Sequence, residues 1–444
     1  MSVRSVRAEI RRMRRGHRSG RRLARAGDVY MVALGVFIYG GIAIQAVRRL
    51  VARPPTGPAI HNLPVAQWLL LGCAVVALGL VVRGLLAFGP VVASGAFHFW
   101  LLATPLNRRG LLSRRFWWTA IAGTLLGALV GLGAAALLRA DLPGKLISTA
   151  GGAALVLGAV ALSVALQAKA KNGRAVSAAL AVVGLLVLTM AVFVTPPLLD
   201  PPVAVVAAVV IPVYAIAHTY RALGTLTRSA LATGAEMLSV TKAAMSWMDI
   251  TMFAGIMTVR KWRGVGRVRS RSLGGTRYGA MLSADVRRLS RNRGRILAWA
   301  GLLLAPYAAV RVLPDLIVPA VQLVAATAAV SPLATGLRNV CRSPGLRRSL
   351  GGTDAGLRLV HLAVPAVLAL VWTALTLPAA STVATVLAPV GAVAYTYRRA
   401  TAPPVDYDWT AVDSPFGLVP PNMLRQLLRG PLLLVLLVGL QLNL

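Results

Sequence analysis

The stretch "WLLATPLNRRGLLSRRFWW", Trp100–Trp118, closes one apolar run and opens another. Gly84–Thr104 holds 21 residues without a charge, and about 20 apolar residues suffice for a helix to cross a bilayer. If it crossed, every later loop would change sides, and the 15 basic residues of Arg221–Arg295 would lie outside. Lys and Arg near helix ends resist translocation. Gly84–Thr104 is therefore predicted to be an interfacial or re-entrant element, with Arg108–Arg109 and Arg114–Arg115 returning to the cytoplasmic side and Trp117–Trp118 seating the next helix at the interface.

The rest of the chain follows from that choice. Of its 444 residues 57% are hydrophobic and 14% charged, and the mean hydropathy is +0.71, which excludes a soluble globular protein. The net charge of +36 would suggest nucleic acid in a soluble chain. Here the basic residues fall between apolar runs, where they set topology, so no nucleic-acid partner is expected. Arg outnumbers Lys 43 to 5, a bias of GC-rich bacterial genomes that points to a bacterial cytoplasmic membrane.

Apolar runs of helix-spanning length predict an all-α, polytopic membrane protein with about 11 (10–12) transmembrane helices and a cytoplasmic N-terminus. Six lie in the first half: Val29–Val47, Val65–Val82, Trp117–Leu138, Leu146–Leu166, Ala175–Val194 and Val203–Tyr220. Five follow: Ile296–Pro314, Leu316–Leu333, Leu359–Leu377, Ala379–Tyr397 and the short Pro431–Leu444. This arrangement puts 42 of the 48 basic residues inside. It divides the chain into a basic tail (1–28), a first membrane half (29–220, with a cytoplasmic connector at about 84–115), a basic cytoplasmic or interfacial segment (221–295), and a second half (296–444). Cytoplasmic loops in that second half are expected at about 334–358 and 398–430. Pro212, Pro306 and Pro389 are expected to kink their spans.

Thr104–Leu111 has an echo in the second half. "TPLNRRGL" and "SPGLRRSL", Ser343–Leu350, share the pattern [ST]-P-x-x-R-R-[GS]-L, each after the second span of its half. The match suggests two pseudo-repeated halves in the same orientation, a parallel repeat of the type transporters build a pathway from.

Soluble-enzyme chemistry is poorly represented. Around Lys145 the residues of a phosphate-binding loop are missing: Leu146 stands where Ser or Thr is needed, and Arg139 where the first Gly is needed. "GVGRVRS", Gly264–Ser270, reads as a basic surface loop. Asp406, Asp408 and Asp413 in "DYDWTAVD" are the only foothold for a metal-assisted transferase, and no His or Glu base stands beside them. His17, His61, His98, His218 and His361 show no ligand spacing, so no metal and no cofactor are expected. Of the twelve acidic residues none falls at the centre of a span, which argues against ion-coupled transport. Cys73 and Cys341 fall in different environments, and no disulfide is expected between them.

"AAMSWMDITMFAGIMTV", Ala243–Val259, carries Met245, Met248, Met252 and Met257 near helical spacing around Trp247 and Asp249. It is predicted to lie along the cytoplasmic face, either packed on the membrane domain or offering an adaptable surface to a partner.

The order of second span, uncharged connector, "WLLATPLNRRGLL" and return into the membrane resembles the permease subunits of ABC-2 type exporters. "SWMDITMFAGIMTVRKWRGVGRVRS" (Ser246–Ser270), "ADVRRLSRNRGRILAWAGLLLAPY" (Ala284–Tyr307) and "DSPFGLVPP" (Asp413–Pro421) are similar to an uncharacterised actinobacterial family of permease-like integral membrane proteins. The resemblance implies an all-helical transport domain served by a separate ATP-binding cassette ATPase, in two copies, and working as a homodimer or as a pseudo-dimer within one chain. On that reading the chain is not itself an enzyme. Its ATPase-coupling residues would be Thr104, Pro105, Arg108, Arg109, Ser343, Pro344, Arg347, Arg348, Trp247 and Asp249, with anionic membrane lipids as further partners. The alternatives are a non-transporting membrane scaffold for a cytosolic complex and a lipid-linked membrane transferase.

Overall fold

The computed structural model describes residues 62–91, 107–137, 140–169, 173–194, 197, 214–227, 231, 234, 259, 275–379, 386–402, 412–414, 417–419 and 431–442. Apart from one small hairpin, these residues are helical or connect helices. Seven segments among them are helices long and apolar enough to cross a membrane: Leu63–Phe88, Arg108–Ala136, Leu142–Ala168, Gly173–Phe193, Arg293–Val312, Asp315–Leu333 and Asp354–Ala379. The chain is a multi-pass membrane protein. The expected spans Val29–Val47 and most of Val203–Tyr220 lie outside the described residues.

Contacts divide the chain into two compact units, residues 1–57, 67–188 and 196–267 in the first, and 58–66, 189–195 and 268–444 in the second. The boundary near residue 267 falls inside the basic segment expected at 221–295.

The helices α1 (Leu63–Phe88), α2 (Arg108–Leu137), α3 (Leu142–Ala168) and α4 (Gly173–Phe193) carry the spans of the first unit, apart from the first four residues of α1 and the last five of α4, which group with the second. Backbone proximity holds them in pairs. Gly123, Gly127 and Gly131 recur every fourth residue and so line one face of α2. A Cβ on Gly127 would overlap the Gly152 carbonyl of α3, and one on Gly131 would overlap that of Ser148. Likewise a Cβ on Gly79 of α1 would come within 2.9 Å of the Ser177 carbonyl on α4. Lipid offers apolar side chains no reason to leave it, so membrane helices associate through close packing of small residues. A core of Leu112, Phe116, Val160, Val164, Leu223, Leu226 and Leu231 closes one end of this unit.

The spans reach beyond their apolar cores. The helix α1 continues through Phe88, so the connector begins at Gly89, in the left-handed region at φ 75°, rather than at residue 84. The helix α2 begins at Arg108, so both Arg pairs belong to the helix and the connector ends at residue 107, not 115. The Asn107 side chain accepts from the Arg109 backbone N–H at 3.0 Å, satisfying a donor that the first turn leaves open.

The second unit begins with α5 (Arg277–Arg291), a charged amphipathic helix with Met281 and Asp285 buried. Next come α6 (Arg293–Gly301) and α7 (Leu304–Val312). They form one span interrupted at Leu302–Leu303, because Pro306 has no N–H and its ring clashes with the carbonyl four residues back. The helix α8 (Val318–Val330) is the central element: its span is 67% buried, against 11% for Arg293–Val312. Two short helices, α9 (Thr335–Arg342) and α10 (Pro344–Leu350), lead to α11 (Asp354–Thr376), followed by α12 (Leu387–Ala400). Ala325, Ala326, Ala329, Val330, Ala369, Trp372 and Ala392 form the core of α8, α11 and α12. Trp372 donates its indole N–H to the Trp299 carbonyl at 3.2 Å.

The residues expected at the loop 334–358 are largely helical. Pro389 sits in the first turn of α12, where its missing N–H would be unused, so it starts the helix instead of kinking it. Strands β1 (Val412–Ser414) and β2 (Gly417–Val419) pair antiparallel inside the stretch expected as a loop at 398–430. The last helix, α13 (Pro431–Leu442), has 12 residues, or about 18 Å at 1.5 Å per residue, well short of the roughly 30 Å hydrocarbon core.

Candidate coupling surface and buried polar centre

The ten residues singled out from sequence divide into three groups. Thr104, Pro105, Trp247 and Asp249 lie outside the described residues. Arg108 and Arg109 open α2, and Arg109 Nη2 donates to the Arg221 carbonyl at 3.3 Å. Contact with this pair would therefore bear directly on a membrane-spanning helix.

Ser343, Pro344, Arg347 and Arg348 build α10. Ser343 caps it, its hydroxyl accepting from the Leu346 N–H at 3.3 Å, and Pro344 occupies the first turn. Gly351 and Gly352, at φ 65° and 81°, end it in a conformation that side-chain-bearing residues avoid. Thr353 then caps α11. Arg347 Nη1 pairs with Asp354 Oδ2 at 2.8 Å, and Arg358 reaches the same oxygen at 3.8 Å. Arg277 of α5 donates to the Leu350 carbonyl. The segment 334–358 is a strapped helical turn-around, with Arg348 exposed on it.

Among the described residues, the two echo motifs place their Arg pairs differently. In the first, the Arg pair occupies positions one and two of a 30-residue helix. In the second, it falls in the last turn of a seven-residue helix. The Arg pair thus stands at a helix start in one case and near a helix end in the other, with Thr104 and Pro105 outside the described residues.

Beneath α10 lies a centre that sequence reasoning passed over. Asp285 on α5 and His361 on α11 are both buried, and His361 Nδ1 donates to Asp285 Oδ2 at 2.5 Å. Arg288, one turn along α5, donates to Asp285 Oδ1 at 2.9 Å. Gly336 on α9 makes room for the carboxylate, since a Cβ there would overlap both of its oxygens. His361 Nε2 is buried with no hydrogen-bond partner among the described residues. Met281, Val340 and Leu357, with Leu346, Leu350 and Val360 against them, form the adjacent apolar cluster. The available signal was the register of α5: Met281 and Asp285 are four residues apart, hence on one face, which puts a lone carboxylate on the apolar side of the helix.

Deeper in the span region, Gln322 of α8 donates through Nε2 to Thr376 Oγ1 of α11 at 2.8 Å, both fully buried. Along α11 and α12, Asp354, Arg358, Leu359, Leu362, Leu370, Val390 and Tyr397 line an open, largely apolar groove of about 880 Å³. No group of three or more His, Cys, Asp or Glu side chains able to hold a metal ion occurs among the described residues. Cys73 and Cys341 are free thiols, and burial raises the pKa of Cys341 against the opposing pull of Arg358 and Arg347.

A family model of unknown function, DUF6297, matches residues 61–410. The chain belongs to this family. The match covers most of both compact units, including Asp285, His361 and the whole turn-around of α9 and α10. No curated protein and no solved structure matches the chain.

Proposed function

We propose that this DUF6297 protein is the membrane subunit of an ATP-driven exporter in a bacterial cytoplasmic membrane, coupled to a separate ATP-binding cassette ATPase present in two copies. On this reading the chain has about eleven spans and a cytoplasmic N-terminus, and the ends bearing α9, α10 and the start of α2 face the cytosol. It supplies no catalytic group; hydrolysis belongs to the partner.

The observation that carries the proposal is the turn-around between Asp315–Leu333 and Asp354–Ala379. A flexible loop would absorb a push from outside the membrane, whereas a short helix fixed at both ends passes it on. Ser343 and Thr353 set the ends of this element, Arg347–Asp354 ties it to α11, and Arg277 ties it to α5. Force on Arg348 would reach the α11 span through α10 and the Asp354 pair. Arg108 and Arg109 at the start of α2 are proposed as a separate coupling element, and Trp247 and Asp249, outside the described residues, are proposed as coupling residues from sequence alone.

Mild detergent extraction followed by affinity capture of the full chain tests this. An ATPase subunit is expected to co-purify, and Arg348→Glu is expected to release it while leaving the chain folded. If no ATPase comes down, and Arg108→Glu/Arg109→Glu leaves every association and export phenotype intact, the transporter reading fails. Recovery of a non-ATPase complex through the same residues would replace it with a membrane scaffold.

A further inference from the structure

Four arginines gather at the end of the second unit where α6 begins, α9 runs across and α12 ends. Arg338 of α9 is half-buried. Its Nη2 donates to the Ser331 carbonyl at 3.0 Å, and its Nε is buried with no partner among the described residues. Arg295, in the first turn of α6, donates to the Thr335 hydroxyl on α9. Arg399, in the last turn of α12, donates to the Tyr395 hydroxyl at 2.8 Å and lies 5.9 Å from the ring centroid. Arg342 lies one turn beyond Arg338. Packing of Ala334 and Leu337 against Ala400 fixes α9 on α12 and holds the group together.

Burial lowers the pKa of Arg338 first, and the charges of Arg399, Arg342 and Arg295 lower it further. No ion pair joins any of the four to a carboxylate among the described residues. The carboxylate that packs against the same helix, Asp285, is already taken by Arg288 and His361. Like charges brought together by a fold, one of them partly desolvated, cost stability unless an anion joins them. Arginine forks match the oxygens of a phosphate. Arg295 and Arg399 lie at the ends of the α6 and α12 helices, the level at which bilayer phosphates lie, and α9 carries Arg338 and Arg342 beside them.

We infer that Arg295, Arg338, Arg342 and Arg399 form a binding site for a phosphate group, carried by an anionic phospholipid headgroup or by free phosphate. The bound anion removes the repulsion at Arg338 and clamps α6, α9 and α12 to one another. Loss of the anion loosens the start of the turn-around at α9. The site does not depend on an ATPase partner.

The test uses the full-length chain in mild detergent, titrated separately with dioleoyl phosphatidylglycerol, dioleoyl phosphatidylcholine and inorganic phosphate. Bound lipid is read by native mass spectrometry, and protection by thermal unfolding. Phosphatidylglycerol is expected to bind and raise the melting temperature while phosphatidylcholine does not. Arg342→Gln and Arg399→Gln, both at exposed positions, should each weaken binding about tenfold, the order of one charge-assisted hydrogen bond. Arg291→Gln, at the exposed end of α5, should bind as the parent does. Arg338→Gln should abolish the protection and raise the melting temperature of the lipid-free chain. Protection by inorganic phosphate as well identifies the free ion as a sufficient ligand; protection by phosphatidylglycerol alone identifies the lipid. Equal binding by the parent, Arg342→Gln and Arg399→Gln overturns the site, as does the absence of protection by either anion. Binding that appears only after Asp406→Asn/Asp408→Asn also overturns it, because the chain's own acidic stretch would then be the occupant.

Discussion

His361 of α11 and Asp285 of α5, 76 residues apart in the chain, meet at 2.5 Å in a buried position and join a surface helix to a membrane span. Arg288 at the rim and Gly336 beneath complete the arrangement. The pair joins α5 to α11 beside the apolar cluster of Met281, Val340 and Leu357 and the Arg277 bond to the Leu350 carbonyl, and once buried it is costly to break.

Removing one partner of such a pair leaves a buried group unsatisfied. His361→Ala and Asp285→Ala are each expected to destabilise the second unit by about 3 kcal/mol. The double variant should cost less than the sum of the singles, which a thermal-unfolding cycle on detergent-solubilised protein measures. Strict additivity would show that the two side chains do not interact.

Gly336→Ala places a methyl group where the Asp285 oxygens sit. A loss of about 1–3 kcal/mol is expected, as for overpacking elsewhere. Combining it with Asp285→Ala should recover part of the loss, because the displaced carboxylate is gone. Limited proteolysis near α5 provides an independent readout: Gly336→Ala alone should expose that helix to cleavage.

On α2, Gly127→Leu is expected to separate α2 from α3 and abolish expression of folded protein, since its Cβ meets backbone that cannot move aside. Gly133 on the same helix has nothing within 4 Å of its Cβ position. Gly133→Ala should therefore be neutral or stabilising by up to about 1 kcal/mol. Comparing folded yield by size-exclusion chromatography separates the two outcomes.

Arg347 and Arg348 are neighbours with different work. The Arg347–Asp354 pair is partly solvent-exposed, so Arg347→Gln should cost no more than about 1 kcal/mol. Arg348→Gln should leave stability unchanged while weakening capture of an ATPase subunit. Equal effects of the two on capture would show that α10 presents no defined face.

Membrane character, and seven of the spans, were legible in the sequence because hydrocarbon demands uninterrupted apolar helices of a fixed minimum length. Their ends were not. Hydropathy marks where a helix is greasy, whereas a helix ends where its last backbone groups find caps. Arg108, Arg109, Arg114 and Arg115 accordingly belong to α2, although hydropathy alone assigns them to a connector. The Arg pairs of the two similar motifs show the same limit, for Arg108 and Arg109 open a long span whereas Arg347 and Arg348 fall in the last turn of a short strapped helix.

Composition and periodicity alone determined that this chain is helical, crosses the membrane repeatedly and keeps its arginines at the ends of apolar runs. Only tertiary structure decided that a histidine within an apolar helix and a lone aspartate among arginines are partners, and that Arg338 is surrounded by its own kind. Apolar length is a local property that each segment carries by itself. The pairing of polar groups depends on which helix faces which, and that choice rests on close approaches such as the Gly127 and Gly152 backbones and the Asp285 carboxylate against Gly336, where the absence of a side chain on glycine determines the fit.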